Sequence, residues 1–89
     1  MAKDIIKFWA PWCSPCSVYA PTFEKVKQEL SETAHHFFEV NVDEDTQGLA
    51  AEYKVRNIPC TVIVQDGVEV ARQVGPLAED QLRDFILTN

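Results

Sequence analysis

The dipeptide Asp66-Gly67 stands between two β-branched runs, TVIVQ at 61–65 and VEVARQV at 68–74, and it constrains the fold more than any other feature of the chain. Both central residues of a type I′ turn need positive φ, which Gly adopts freely and Asp tolerates. The two runs are therefore expected to be antiparallel neighbours in one hairpin. TVIVQ reads as a strand buried on both faces, and VEVARQV alternates in the manner of a half-buried one.

Upstream, Asp4 to Ala10 holds the run IIKFWA, apolar except at Lys7 and free of Gly and Pro, which predicts a strand. Beyond Pro11, the residues Cys16, Tyr19, Phe23, Val26 and Leu30 recur at steps of three and four. That stripe predicts an amphipathic helix from about Ser14 to about Glu32. Pro15 fits its first turn, where a missing N–H loses no partner, whereas Pro21 in the interior removes the bond to the Ser17 carbonyl and predicts a kink. FFEVNV at 37–42 predicts a second strand, and Asp45 or Thr46 is expected to cap a short helix running to about Tyr53. After Gly75-Pro76, the residues Leu77, Leu82, Phe85 and Ile86 trace one face of a terminal helix. The order βαβαββα predicts an α/β fold with a four-stranded mixed sheet and helices on both faces.

Length allows one core, so residues 1–89 are expected to form a single domain. With 46% apolar and 25% charged residues, neither a disordered chain nor a fibrous repeat is indicated. Eight Lys and Arg against 14 Asp and Glu give a net charge of −6 without a basic cluster, so no nucleic-acid-binding face is expected. No run of 18 apolar residues is present and MAKDIIKFWA holds no apolar stretch of signal-peptide length, which predicts no membrane partner and, by default, a cytoplasmic address. A monomer is expected.

Residues 9–16 read WAPWCSPC. Three cysteines are an odd set and cannot close a disulfide framework, so the Cys-x-x-Cys spacing points to metal binding or to redox chemistry. A structural zinc wants four ligands, yet a second Cys-x-x-Cys or a His-x-x-x-His is absent, and His35 and His36 are adjacent in a stretch that reads as a solvated loop. No metal and no bound cofactor are expected. A site built from Cys13, Cys16 and Cys60 is the remaining metal alternative, and it predicts metal retained through gel filtration.

With WAPWCSPC closing the first strand, NIPCT at 57–61 opening the hairpin, VNVDED between them and Val74-Gly75 leading to the last helix, the sequence resembles the thioredoxin family. The likeness runs through nearly all of the chain, in a shortened form without the family's usual first strand and first helix. It implies that Pro59 is cis and faces Cys13 and Cys16. It also implies a groove for an extended peptide formed by Trp9, Pro11, Trp12, Pro15, Ile58, Pro59, Gly75 and Pro76, although Trp9 reads equally well as core packing beneath the cysteines. The activity implied is that of a protein-disulfide reductase working by dithiol/disulfide exchange on disulfide-containing proteins, with thioredoxin reductase as electron donor. A glutaredoxin-like dependence on glutathione, or a binding or accessory subunit whose redox pair is incidental, are the alternatives.

If the helix begins at Ser14 or Pro15, Cys13 lies at its N-terminus, where unpaired N–H groups and the dipole favour an anion. Cys13 is then the attacking nucleophile and Cys16, one turn further in, resolves the mixed disulfide. In thioredoxins such placement brings the thiol from about 8.5 to about 7, the family's own value. Pro15 offers neither a proton nor a positive charge, so the couple is expected nearer the thioredoxin potential of about −270 mV than an oxidase value of about −120 mV.

One departure from the family pattern stands out. The family usually places a buried aspartate two residues before its first tryptophan and a lysine on the neighbouring strand; here those positions hold Lys7 and Glu39. Lys7 shares a strand face with Trp9 by the period of two, which turns it toward the cysteines. Glu39 is expected to carry proton traffic at Cys16, with Lys7 holding it or favouring thiolate directly. The alternative is a Lys7 that snorkels to solvent and a Glu39 that is a surface charge. Cys60, where the family usually has threonine, reads as a small buried apolar residue or as a third thiol able to capture Cys13 under oxidation.

Overall fold

A computed structural model of the chain describes residues 2–31 and 35–89. The elements are β1 (Lys3–Trp9), α1 (Ser14–Leu30), β2 (His35–Asn41), α2 (Leu49–Glu52), β3 (Cys60–Gln65), β4 (Val68–Val74) and α3 (Glu79–Thr88), with one 3-10 turn at Val42–Glu44. The sheet order is β2-β1-β3-β4. β1 pairs parallel with β2 and antiparallel with β3, and β3 pairs antiparallel with β4. This is the expected βαβαββα mixed sheet.

The two central strands are buried on both faces, and the period of two sorts their neighbouring residues into different layers. Ile5 and Ile63 pack with Tyr19, Phe23 and Val26 of α1 and with Leu82 and Ile86 of α3. Ile6, Phe8, Cys60, Val62 and Val64 form the other layer, against Leu49 and Ala50 of α2 and against Tyr53 and Val55 beyond it. Helices therefore cover both faces. The apolar stripe of α1 is the buried one, comprising Cys16, Tyr19, Phe23 and Val26. α1 continues past Pro21 to Leu30; its expected end at Glu32 lies outside the described residues.

The hairpin turn has the dihedrals its dipeptide demands, with φ of 55° at Asp66 and 79° at Gly67. β4 does not alternate as its sequence suggests. Val64 faces Glu69 and Ile63 faces Ala71, so Val70 is an extra residue between two paired ones. That bulge switches the phase of the strand and leaves Val68, Val70 and Val74 all exposed on an edge.

Two further expectations need correction. The short helix is a single turn from Leu49, not a longer one from Asp45 or Thr46 to Tyr53. Asp45 nevertheless serves its start, because its carboxylate accepts the N–H groups of Leu49 (2.9 Å) and Ala50 (2.7 Å), which hold its pKa below the usual aspartate value. His35 and His36 are strand residues rather than loop residues, paired with Lys3 and Asp4 of β1. Two polar rings masked the strand, whose ladder is made by backbone groups regardless of side chain.

The placement of His35 has a pH consequence. Burial, then the nearby Lys3 ammonium, lowers its pKa from 6.5. The unfolded chain takes up this proton more readily, so the contribution to stability is complete above pH 6.5 and is lost as pH falls toward the folded value. Urea midpoints are expected to drop between pH 7 and 5, and His35→Gln to flatten that slope. An unchanged slope in the variant contradicts the assignment.

Candidate active site

β1 delivers the chain to the C-terminal end of this inner strand at Trp9, and the turn after it is closed by the Cys13 N–H donating to the Ala10 carbonyl at 3.2 Å. Cys13 then takes the N-cap position of α1 in an extended conformation, φ −96° and ψ 106°. Its sulfur occupies the place where a cap oxygen ordinarily sits and accepts the Cys16 N–H at 3.3 Å. No acidic side chain stands in the first turn of α1 to offset the positive end of the helix. The pair is closed as a disulfide, with Cα atoms 5.2 Å apart.

Cys13 and Cys16 are buried at residue level, and they form a small cluster with Ala10 against which Trp9, Val42 and Ile58 pack. The Ile58 carbonyl oxygen lies 3.7 Å from the Cys13 sulfur. The Ile58–Pro59 peptide is cis, and Pro59 is fully buried. Gly75, at φ 95°, donates its N–H to the Pro59 carbonyl at 2.8 Å, which ties the end of β4 to the start of β3 beside the pair. Pro11, Pro15 and Pro76 are exposed at the surface.

Trp12 is 69% exposed, yet its indole is not loose. Nε1–H donates to both carboxylate oxygens of Asp43, at 3.0 and 3.2 Å. Sequence reasoning passes over Asp43, although it lies in the VNVDED stretch, because nothing local announces a bond to a side chain of another loop. Its own N–H is donated to the Asn41 side chain at 3.0 Å, which fixes the turn that presents the carboxylate.

Behind the disulfide is a cavity of about 170 Å³ lined by Lys7, Trp9, Cys16, Ser17, Ala20 and Glu39. Lys7 does not snorkel: its side chain is 3% exposed, and Nζ lies 2.9 Å from Glu39 Oε1, whose side chain is 39% exposed. The parallel register sets these two residues opposite one another. Nζ also sits 4.9 Å over the Phe23 ring, a cation–π contact that compensates part of its lost hydration. Lys27 of α1 approaches the other Glu39 oxygen at 4.0 Å. Trp9 belongs to this inner wall, with its ring 6.0 Å from Lys7 Nζ.

Cys60 packs elsewhere, with Ile6, Phe8, Val62 and Val64 in the layer facing α2. Burial pushes its thiol up, which keeps it protonated and a poor nucleophile. Among the described residues no group of three or more His, Cys, Asp or Glu side chains is arranged to hold a metal. The Tyr19 hydroxyl is paired with Thr61 Oγ1 at 2.8 Å, and burial raises its pKa to about 12, so it is a fixed strut rather than an acid.

The family model described as Thioredoxin matches residues 2–88. A thioredoxin of Haemophilus influenzae is 39% identical over 82 residues, spanning 92% of this chain and 75% of its own length. A thioredoxin of Mycoplasma genitalium is 38% identical over 81 residues, spanning 91% and 76%. Among solved structures, Fasciola hepatica thioredoxin superposes with a TM-score of 0.87 at 36% identity, covering 98% of this chain and 80% of that one. Thioredoxin-2 of a malaria parasite reaches 0.89 over 99% and 84% at 18% identity, a likeness of fold.

Proposed function

The chain belongs to the thioredoxin family, and from that membership we propose that it runs dithiol/disulfide exchange in the reducing direction, on proteins, with Cys13 as nucleophile and Cys16 as resolving thiol. The exchange itself is the activity of this fold with its Cys13–Cys16 disulfide beside Trp12. The observation that carries the assignment of roles is the Cys16 N–H donated to the Cys13 sulfur at the unopposed N-terminus of α1. A charge on that sulfur gains a hydrogen bond and the helix dipole at once.

In the proposed cycle the Cys13 thiolate attacks one sulfur of a client disulfide. The client's other sulfur leaves as thiolate, and a mixed disulfide remains. Cys16 loses its proton and attacks the Cys13 sulfur, which releases the second client thiolate and restores the Cys13–Cys16 bond. Glu39 is the carboxylate lining the cavity behind Cys16 and is our acceptor for that proton, with Lys7 holding it there. Trp12, Pro15, Ile58, Pro59, Gly75 and Pro76, with Pro11, form the proposed groove, in which the apolar face of the anchored indole covers part of the client.

Electrons are returned by a thioredoxin reductase in this reading, and residues 1–89 act as one monomeric domain in the cytoplasm. The test is NADPH consumption in the presence of insulin. With thioredoxin reductase, oxidation of NADPH is expected to match insulin disulfides reduced; with glutathione and its reductase instead, the rate is expected to be at least about tenfold lower. A faster glutathione-coupled rate overturns the donor, and no turnover with either reductant overturns the reducing direction.

A further inference from the structure

We infer that the buried Lys7 ammonium and the half-exposed Glu39 carboxylate set the redox equilibrium of the Cys13–Cys16 pair in opposite directions, Lys7 favouring the dithiol and Glu39 the disulfide. This rests on the proposed roles of the two cysteines. Its own ground is the polarity of the cavity. The cation is the inner member of the ion pair and the carboxylate the outer one, since Lys7 is 3% exposed at the side chain and Glu39 39%. Both line the space on which Cys16 opens.

The disulfide carries no charge, whereas in the proposed roles the reduced pair at pH 7 is in part ionised, at Cys13, with Cys16 protonated beside it. A cation in the cavity behind the pair, shielded from water, stabilises that thiolate from the Cys16 side and so favours the reduced form, and a carboxylate at the same cavity opposes it. Further charge near the ion pair comes from α1: Lys27, 4.0 Å from Glu39, and Glu24, 3.9 Å from Lys27. Both lie on the solvent side and are screened by salt. The Tyr19 hydroxyl is occupied by Thr61. Glu39 thus tempers a cation that would otherwise make the disulfide a stronger oxidant.

The experiment is equilibration with glutathione at pH 7, in which two glutathione thiols become one glutathione disulfide while Cys13–Cys16 gains two electrons and two protons, less the fraction of a proton that Cys13 releases to solvent as thiolate. Lys7→Met is expected to lower the equilibrium constant for reduction about tenfold, a shift of about 30 mV toward stronger reductant. Glu39→Gln, which unmasks the cation, is expected to raise the same constant about three- to tenfold. Two substitutions that merely broke a structural ion pair would move the constant alike or leave it unchanged, and either result overturns the inference while the wild-type couple stands. If Lys7→Met fails to fold by circular dichroism, the sign for Glu39→Gln decides alone, and an unchanged or lowered constant refutes the inference. A wild-type pair that never equilibrates with glutathione removes the proposed function and this inference together.

Discussion

A Cys16→Ser chain mixed with oxidised insulin is expected to accumulate one covalent protein–client adduct per chain, visible on a non-reducing gel and released by dithiothreitol. The reason lies in the division of labour between the two sulfurs. Cys13 caps α1 and holds the hydrogen bond and dipole that favour its anion. With Cys16 replaced, nothing inside the chain can attack the mixed disulfide, and turnover stops after the first step. Cys13→Ser should form no adduct and lose insulin reduction by at least about a thousandfold, because a serine hydroxyl is not ionised near neutrality and Cys16 lies behind the first turn. Equal adduct formation by the two variants would show that attack and resolution are not divided between these two positions.

The second large effect is expected at the junction of core and site. Phe23 is fully buried, packs against Tyr19 and Phe37 in ring contacts of 5.9 and 5.8 Å, and presents its face to the Lys7 ammonium at 4.9 Å. Phe23→Ala leaves a hole in the layer between the sheet and α1 and should cost about 3–5 kcal/mol. A chain of this length has roughly 5–13 kcal/mol in all. With m of about 1–1.5 kcal/mol/M, the urea midpoint should fall by roughly 2–5 M, with m itself little changed. A loss below about 1 kcal/mol would mean that the layer closes over the gap, contrary to the packing described. Phe23→Leu refills most of the volume without a π face, so any residual shift in the redox equilibrium of that variant reports the loss of support under Lys7.

Much of the fold and part of the site are legible in the order of residues, and particular positions show why. Asp66-Gly67 dictates its turn because the constraint is on its own φ angles, and those are the angles found. The stripe from Cys16 to Val26 dictates the buried face of α1 because the helical period is local. His35 and His36 mislead because polar side chains say little about a strand held by backbone bonds to β1. Val70 misleads because a bulge is a mismatch between two strands and leaves no mark on one of them. Asp43 escapes because its partner, Trp12, is in a different loop.

What the chain's own order of residues determined was the inventory of strands, helices and turn, and a sulfur at the head of a helix, all consequences of local dihedral preference and short-range periodicity. The tertiary structure alone decided that Lys7 lies across from Glu39 with the cation inward, and that Cys60 is parted from the other two sulfurs. Which residues of β1 and β2 stand side by side is a matter of register, set by how α1 settles onto the sheet between them, and no short window of sequence contains that packing.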